Sequence, residues 1–224
     1  FRRVLFRSTL KYQKTDSAIY TSHIDLLKQF VKIVNRAGIE VEYSKGFHPH
    51  MNVYFTSALP VGVSSEAEYV TVETNEKDLL SRLNEKSIGG LVFTKEYVTK
   101  SSPKLTSQIY KSLYKVSVNL TDDEVAKLND YFEKDEIIVT TEKKGEITKK
   151  KVNEQIFSYK VSNSEIELVL ATGNPNLRID ALIRQINGDL ELKIMITKSK
   201  KLKQFVAIEG TSYDVDEYLT KIGE

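Results

Sequence analysis

Cysteine is absent from the 224 residues, and this one absence excludes several kinds of chemistry. Disulfides, thiolate zinc sites, a thiol nucleophile and an iron–sulfur cluster held by the chain itself all need the Cys sulfur. No apolar run approaches the ~20 residues of a membrane-spanning helix, and no signal-peptide core is present. A cytoplasmic protein with no membrane partner is therefore expected. The catalytic signatures that spacing reveals are missing as well. There is no glycine-rich phosphate loop, no nucleophile elbow, no HExxH pair and no CxxxCxxC. Carboxylates are plentiful, but none is marked by spacing as an acid–base pair. The chain does not look like a self-sufficient catalyst, and no cofactor is expected. A strong charge of one sign is lacking too: 33 Lys and Arg against 31 Asp and Glu give +2, so affinity for nucleic acid would rest on local patches.

What is present is an ordinary globular mixture, 40% hydrophobic and 29% charged, long enough for one large domain or two small ones. The first residue is Phe, and the run FRRVLFRS (Phe1 to Ser8) is unlike the rest and resembles translated adapter sequence; it is set aside. The pattern after it predicts a strand over Leu10–Lys14 and a helix capped by Ser22, with Asp25 in the capping-box position. Ile24, Leu27, Phe30, Val31 and Val34 mark that helix's apolar stripe, and Gly38 stops it. Strands are expected at Ile39–Tyr43, Met51–Phe55 and Glu68–Glu73, a helix capped by Asn75, and a strand at Leu91–Val98.

That order, strand, helix, strand, strand, helix, strand, is the split βαβ arrangement. After a linker (Ser101 to Ser107) the order recurs. A strand runs through Tyr114–Leu120, and a helix carries the Thr121/Glu124 capping box. Strands follow at Glu136–Thr141, Ile156–Val161 and Ile166–Ala171, with a lysine-rich hairpin region after the first. A helix stopped by Gly188, a strand at Leu190–Ile196, a strand-like Gln204–Ile208 and a short acidic helix near Asp214–Tyr218 end the chain. The expected fold is α+β: two ferredoxin-like (split βαβ) units with antiparallel sheets, residues 9–100 and residues 108–224, the latter with a C-terminal extension.

All three histidines lie in the first half: His23 at the helix start, His48 and His50 in the loop SKGFHPH. If they converge, they and Asp25 would suit a metal. The plainer reading makes His-Pro-His a rigid turn around Pro49. Lys28, Lys32 and Arg36 stand four apart on one helix stripe, and Lys45 adds charge in the loop. They are either a solvated face or a phosphate-binding one. Two further clusters occur, Lys143, Lys144, Lys149, Lys150 and Lys151, then Lys198, Lys200, Lys201 and Lys203; the first reads as a hairpin tip where charge blocks edge pairing, and both would also suit phosphates. Serines 22, 44, 64 and 65 near the histidines could be imagined as nucleophiles, a minor reading.

The stretch Tyr20 to Tyr69, roughly a quarter of the chain, carries linked motifs. Ser22, His23, Asp25 and Leu26 open it, Arg36 and Ala37 end its helix, and Tyr43, Ser44, Gly46, Phe47, Pro49 and His50 make its loop. Leu59, Pro60, Gly62, Ser65 and Glu68 follow. In order and spacing these resemble the radical-SAM-associated (radical-SAM-linked) bacterial domain of unknown function. Met51 stands where that family usually has a second proline, and Lys32 and Asn35 dilute its arginine-rich helix. The resemblance implies a non-catalytic accessory protein of a radical SAM enzyme, found fused to or encoded beside it, that holds or presents a substrate such as RNA. A stand-alone RNA-binding protein and a His-based metal-dependent enzyme are the alternatives. The surface expected to meet partner or RNA comprises Ser22, His23, Asp25, Lys28, Lys32, Arg36, Tyr43, Ser44, Lys45, Gly46, Phe47, His48, Pro49 and His50.

Overall fold

A computed structural model describes residues 6–143 and 145–223. The chain is mixed α+β with mostly antiparallel sheet, and its contacts divide it into two compact units. Unit 1 holds the residues up to Ile109 together with those from Lys203 on; unit 2 holds Tyr110–Leu202.

Unit 1 begins with β1 (Phe6–Lys14), a 3-10 turn (Asp16–Tyr20), α1 (His23–Arg36), β2 (Val53–Phe55), β3 (Ser64–Thr74), α2 (Leu80–Lys86), β4 (Leu91–Thr99) and α3 (Leu105–Gln108). In its sheet β1 lies between β4 and β3, β2 pairs with the other side of β3, and these pairs are antiparallel. Side chains alternate across a strand. Leu10 and Tyr12 of β1 and Val70 and Val72 of β3 face one way and meet Leu26, Phe30, Ile33 and Val34 of α1 and Leu83 of α2 in one core.

Unit 2 follows with β5 (Ile109–Ser117), α4 (Asp122–Phe132), β6 (Ile138–Lys143), β7 (Glu146–Lys151), a 3-10 turn (Asn153–Gln155), β8 (Ile156–Val161), β9 (Glu165–Ala171) and α5 (Ile179–Leu190). Its strands run β5–β9–β8, antiparallel, while β6 and β7 form a separate ribbon. One core joins Val116, Leu168 and Leu170 to Leu128 of α4 and Leu182 and Ile186 of α5. Strand β10 (Lys198–Ile208) then leads back into unit 1, where β11 (Thr211–Asp214) and α6 (Val215–Ile222) complete it. The residues from Lys203 on, expected as an extension of the second unit, cluster with the first because Val206, Val215 and Leu219 pack on Ala67, Tyr69 and Tyr97.

Local expectations differ from the structure where a tertiary contact outweighs a local signal. Phe6–Ser8, set aside as adapter-like, are the start of β1; buried Ser8 donates to Glu96 at 2.6 Å and Arg7 pairs with Glu73 at 3.1 Å. Phe1–Leu5 lie outside the described residues, as does Lys144. The expected strand Ile39–Tyr43 is reduced to a single bridge, Tyr43 to Met51. Helix α2 starts at Leu80 without a cap from Asn75, because Asp78 is left-handed (φ 58°) and the Leu79 N–H donates to the Glu96 carboxylate at 2.7 Å. Gly188 does not end α5, and Leu190–Ile196 is not a strand. Instead the Asn187 side chain accepts from the Ile194 N–H (2.8 Å) and donates to its carbonyl (3.1 Å), pinning an irregular segment. The linker holds α3, whose Leu105 is buried.

Candidate functional site

Helix α1 begins where expected. Ser22 Oγ accepts the Asp25 N–H at 3.2 Å and donates to the Asp25 carboxylate at 2.7 Å, which also places negative charge at the helix N-terminus. Its apolar stripe is turned from the expected one. Leu26, Phe30, Ile33 and Val34 are buried, whereas Ile24 and Leu27 are 67% and 40% exposed. Ile24, Lys28, Lys32 and Arg36 therefore share one outward line at i, i+4 spacing. Lys28 stands 3.9 Å from Asp25, and Arg36 Nε donates to the Lys32 carbonyl at 3.2 Å.

The loop after α1 is closed at its base by Ser44 and His50. The Ser44 N–H donates to the His50 carbonyl (2.7 Å), the His50 N–H donates to Ser44 Oγ (3.0 Å), and that hydroxyl lies 2.8 Å from His50 Nδ1. Lys45, Gly46, Phe47, His48 and Pro49 project beyond this clasp into solvent. Gly46 has φ 146°, which a side chain disfavours, and the Phe47 ring is wholly exposed. Tyr43, at the foot of the loop, is half exposed.

The histidines do different things. His50 holds the loop base, His48 is exposed, and His23 packs edge-on against Phe55 with ring centres 5.7 Å apart. Among the described residues no group of three or more His, Cys, Asp or Glu is placed to hold a metal ion, so the metal arrangement imagined on His23, His48, His50 and Asp25 is not assembled.

A polar centre that sequence reasoning missed lies beneath His23. Buried Tyr12, Lys14, Thr56 and Glu68 line it, with His23 and Ser57, around a cavity of about 10 Å³, room for about one water molecule. Lys14 Nζ donates to the Thr21 carbonyl at 2.8 Å, just before the cap of α1. Ser65 Oγ donates to Glu68 at 2.8 Å and accepts the Ala67 N–H at 3.2 Å. Burial first, and then the Glu68 charge, push the Tyr12 hydroxyl well above its usual pKa, so it stays protonated. The centre is too small for a substrate; it fixes the entry to α1. Ser65 and Glu68 were legible as motif residues, but Lys14 carries no sequence signal, because its burial follows from β1 running beneath the helix.

Residues 7–179 match the family model described as an uncharacterized protein conserved in bacteria (DUF2344). The chain belongs to this family. The match starts within β1 and takes in α1, the GFHPH loop and the Ser65–Glu68 segment. No curated protein matches the sequence. Among solved structures the chain is similar to one from the crystal structure of a Cbf5-Nop10-Gar1 complex, at a TM-score of 0.51 and 14% identity over 88% of this chain. It spans 48% of that chain, about half, and the likeness is one of fold.

Proposed function

We propose that this chain is a non-catalytic accessory protein of a radical SAM enzyme, docking through α1 and the GFHPH loop and binding or presenting a substrate such as RNA. One observation carries the reading. The motif-bearing stretch displays apolar side chains: Ile24, Leu27, Tyr43 and Phe47 are exposed, and the loop that carries Phe47 is clasped at its base by Ser44 and His50. Exposed apolar groups held on a rigid support suit a protein interface, because little conformational freedom is lost on binding. The Lys28, Lys32 and Arg36 line beside Ile24 supports the RNA part and is the basis of the alternative, RNA binding without the enzyme.

The finer fold reading belongs here too. The strand order β4–β1–β3–β2 in unit 1, and β10–β5–β9–β8 around unit 2, supports two ferredoxin-like units laid over residues 9–100 and from 108 on.

The test is a pull-down of the tagged protein from a related host's lysate, with and without nuclease. A radical SAM protein retained after nuclease, and lost with Ile24→Asp or Phe47→Ala, supports the reading. RNA recovered without such a protein overturns the accessory role and leaves the stand-alone alternative.

A further inference from the structure

Unit 2 carries a second surface that the motifs do not touch. Between the end of α4 and β8 lies an open cleft of about 440 Å³, within the size range of ligand sites. Its walls are aromatic and aliphatic: Phe132, Ile137, Ile156, Phe157 and Tyr159. Phe132 and Tyr159 are stacked, ring centres 4.6 Å apart and 24° from parallel, so one wall is a preformed flat face. The opposite character belongs to Phe157. It is the extra residue at a register shift of β8, is 45% exposed, and presents an open ring edge-on to Tyr110 at 5.6 Å. Lys111 Nζ sits 5.1 Å from both ring centres. The acid in the cleft, Glu133, is taken up by the Tyr159 hydroxyl, and the Asn153 side chain is used by the Ile137 N–H and the Lys134 carbonyl. The Ser158 hydroxyl is a further polar group in the lining.

The strand leading into this cleft is basic. β7 ends in Lys149, Lys150 and Lys151, followed within two residues by cleft residue Asn153. Every described side chain of β7 is exposed, and these three lysines form no ion pair among the described residues. Blocking a strand edge needs charge at the edge; three consecutive lysines without acidic partners, next to an open aromatic cleft, match a polyanion that also carries planar rings.

We propose that the α4–β8 cleft is a binding site for single-stranded RNA, with an unstacked base against Phe157 and the Phe132–Tyr159 face and the phosphates on Lys149 and Lys151, which share one face of β7. The proposal rests on the RNA part of the function above and gives it a location away from α1.

The experiment uses the full chain and a fluorescein-labelled oligouridine 12-mer, followed by anisotropy across a salt series, with ultraviolet cross-linking of the 4-thiouridine version. Phe157→Ala, an exposed change that leaves the fold intact by circular dichroism, weakens binding about fivefold or more. The double change Lys149→Ala, Lys151→Ala flattens the slope of log K against log salt by about 1.4. Cross-links fall on the peptide holding Phe157 and Tyr159. Wild-type binding that both variants retain, or cross-links confined to residues 22–50, overturns the cleft proposal and leaves RNA binding at α1 standing. No binding by the wild type overturns both RNA readings, while the pull-down decides the enzyme partnership separately. Cleft variants that lose a copurifying protein but keep RNA affinity make the cleft a protein groove and overturn the proposal.

Discussion

Asp216, at the start of α6, receives side-chain donors from Lys11 (2.7 Å), Tyr97 (2.8 Å), Tyr69 (2.9 Å) and Lys95 (3.4 Å). Burial alone would raise its pKa; the hydrogen bonds from Lys11, Tyr97 and Tyr69 outweigh that and hold it below the usual carboxylate value. The same burial and the same carboxylate push both tyrosine hydroxyls up, so they remain donors. A carboxyl depressed in the folded state stabilises fully above its unfolded value of about 3.9 and loses that contribution as pH falls through the folded one. Asp216→Ala should therefore cost about 3 kcal/mol in urea denaturation at pH 7. The gap between wild type and variant should narrow below about pH 4; a gap that stays constant down to pH 3 contradicts this account. Phe47 is the opposite case at the same scale. Its ring touches solvent on all sides, so Phe47→Ala should change stability by no more than about 0.5 kcal/mol while lowering partner retention. A large loss of stability would show that the ring is not a display group.

Two elements depend on single residues at their ends. Ser22 caps α1 by accepting the Asp25 N–H and donating its proton to the Asp25 carboxylate, so Ser22→Ala should lower stability by about 1 kcal/mol in chemical denaturation. Ser22→Asp, which keeps an acceptor there, should recover most of it. Gly90, at the turn into β4, has φ 84°, and its carbonyl accepts the Thr15 N–H at 2.9 Å. A Cβ at this position would run into the Thr15 carbonyl, so Gly90→Ala should cost about 2–3 kcal/mol. A thermal melt unchanged by that substitution would mean the turn relaxes freely. Elements also show where local patterning loses. The stripe of α1 was expected at Ile24, Leu27, Phe30, Val31 and Val34; Phe30 and Val34 are buried as expected, but Leu26 and Ile33 join them in place of Ile24 and Leu27. Helical spacing shows that an apolar face exists. Which of two overlapping stripes is buried depends on the height and tilt at which the helix meets β1 and β3, and the bond from Lys14 to the Thr21 carbonyl ties the chain just before the helix to β1.

For the whole molecule, the return of the chain to unit 1 is the decisive feature. β3 is covered on one face by α1 and α2 and on the other by residues contributed from Lys203 on, so Tyr69 and Tyr97 are buried by a segment over a hundred residues later in the chain. Truncation after Leu202 removes Val206, Val215, Leu219 and Asp216 together. It should broaden and lower the melting transition and make unit 1 the first target of limited proteolysis. A truncated chain that melts like the intact one would show that the C-terminal segment contributes little.

Alternation, caps and composition were enough, read along the chain, to establish the α+β character and most of the elements. They also revealed the cap at Ser22, the capping box at Thr121, the exposed GFHPH loop and the family-bearing motifs, because each is decided by neighbours a few residues apart. Three things depended on tertiary structure. Among the described residues the three histidines form no metal group, since His23 packs on Phe55 from α1, His50 clasps the loop base and His48 projects into solvent. Lys14, unremarkable in sequence, and Glu68, known only as a motif residue, become buried because their strand positions face α1. The C-terminal segment goes to unit 1, since the apolar faces of α6 and β10 match a sheet surface that only exists once β1, β3 and β4 have paired. Local periodicity records that a face is apolar, while its partner is chosen by contacts far apart in the chain.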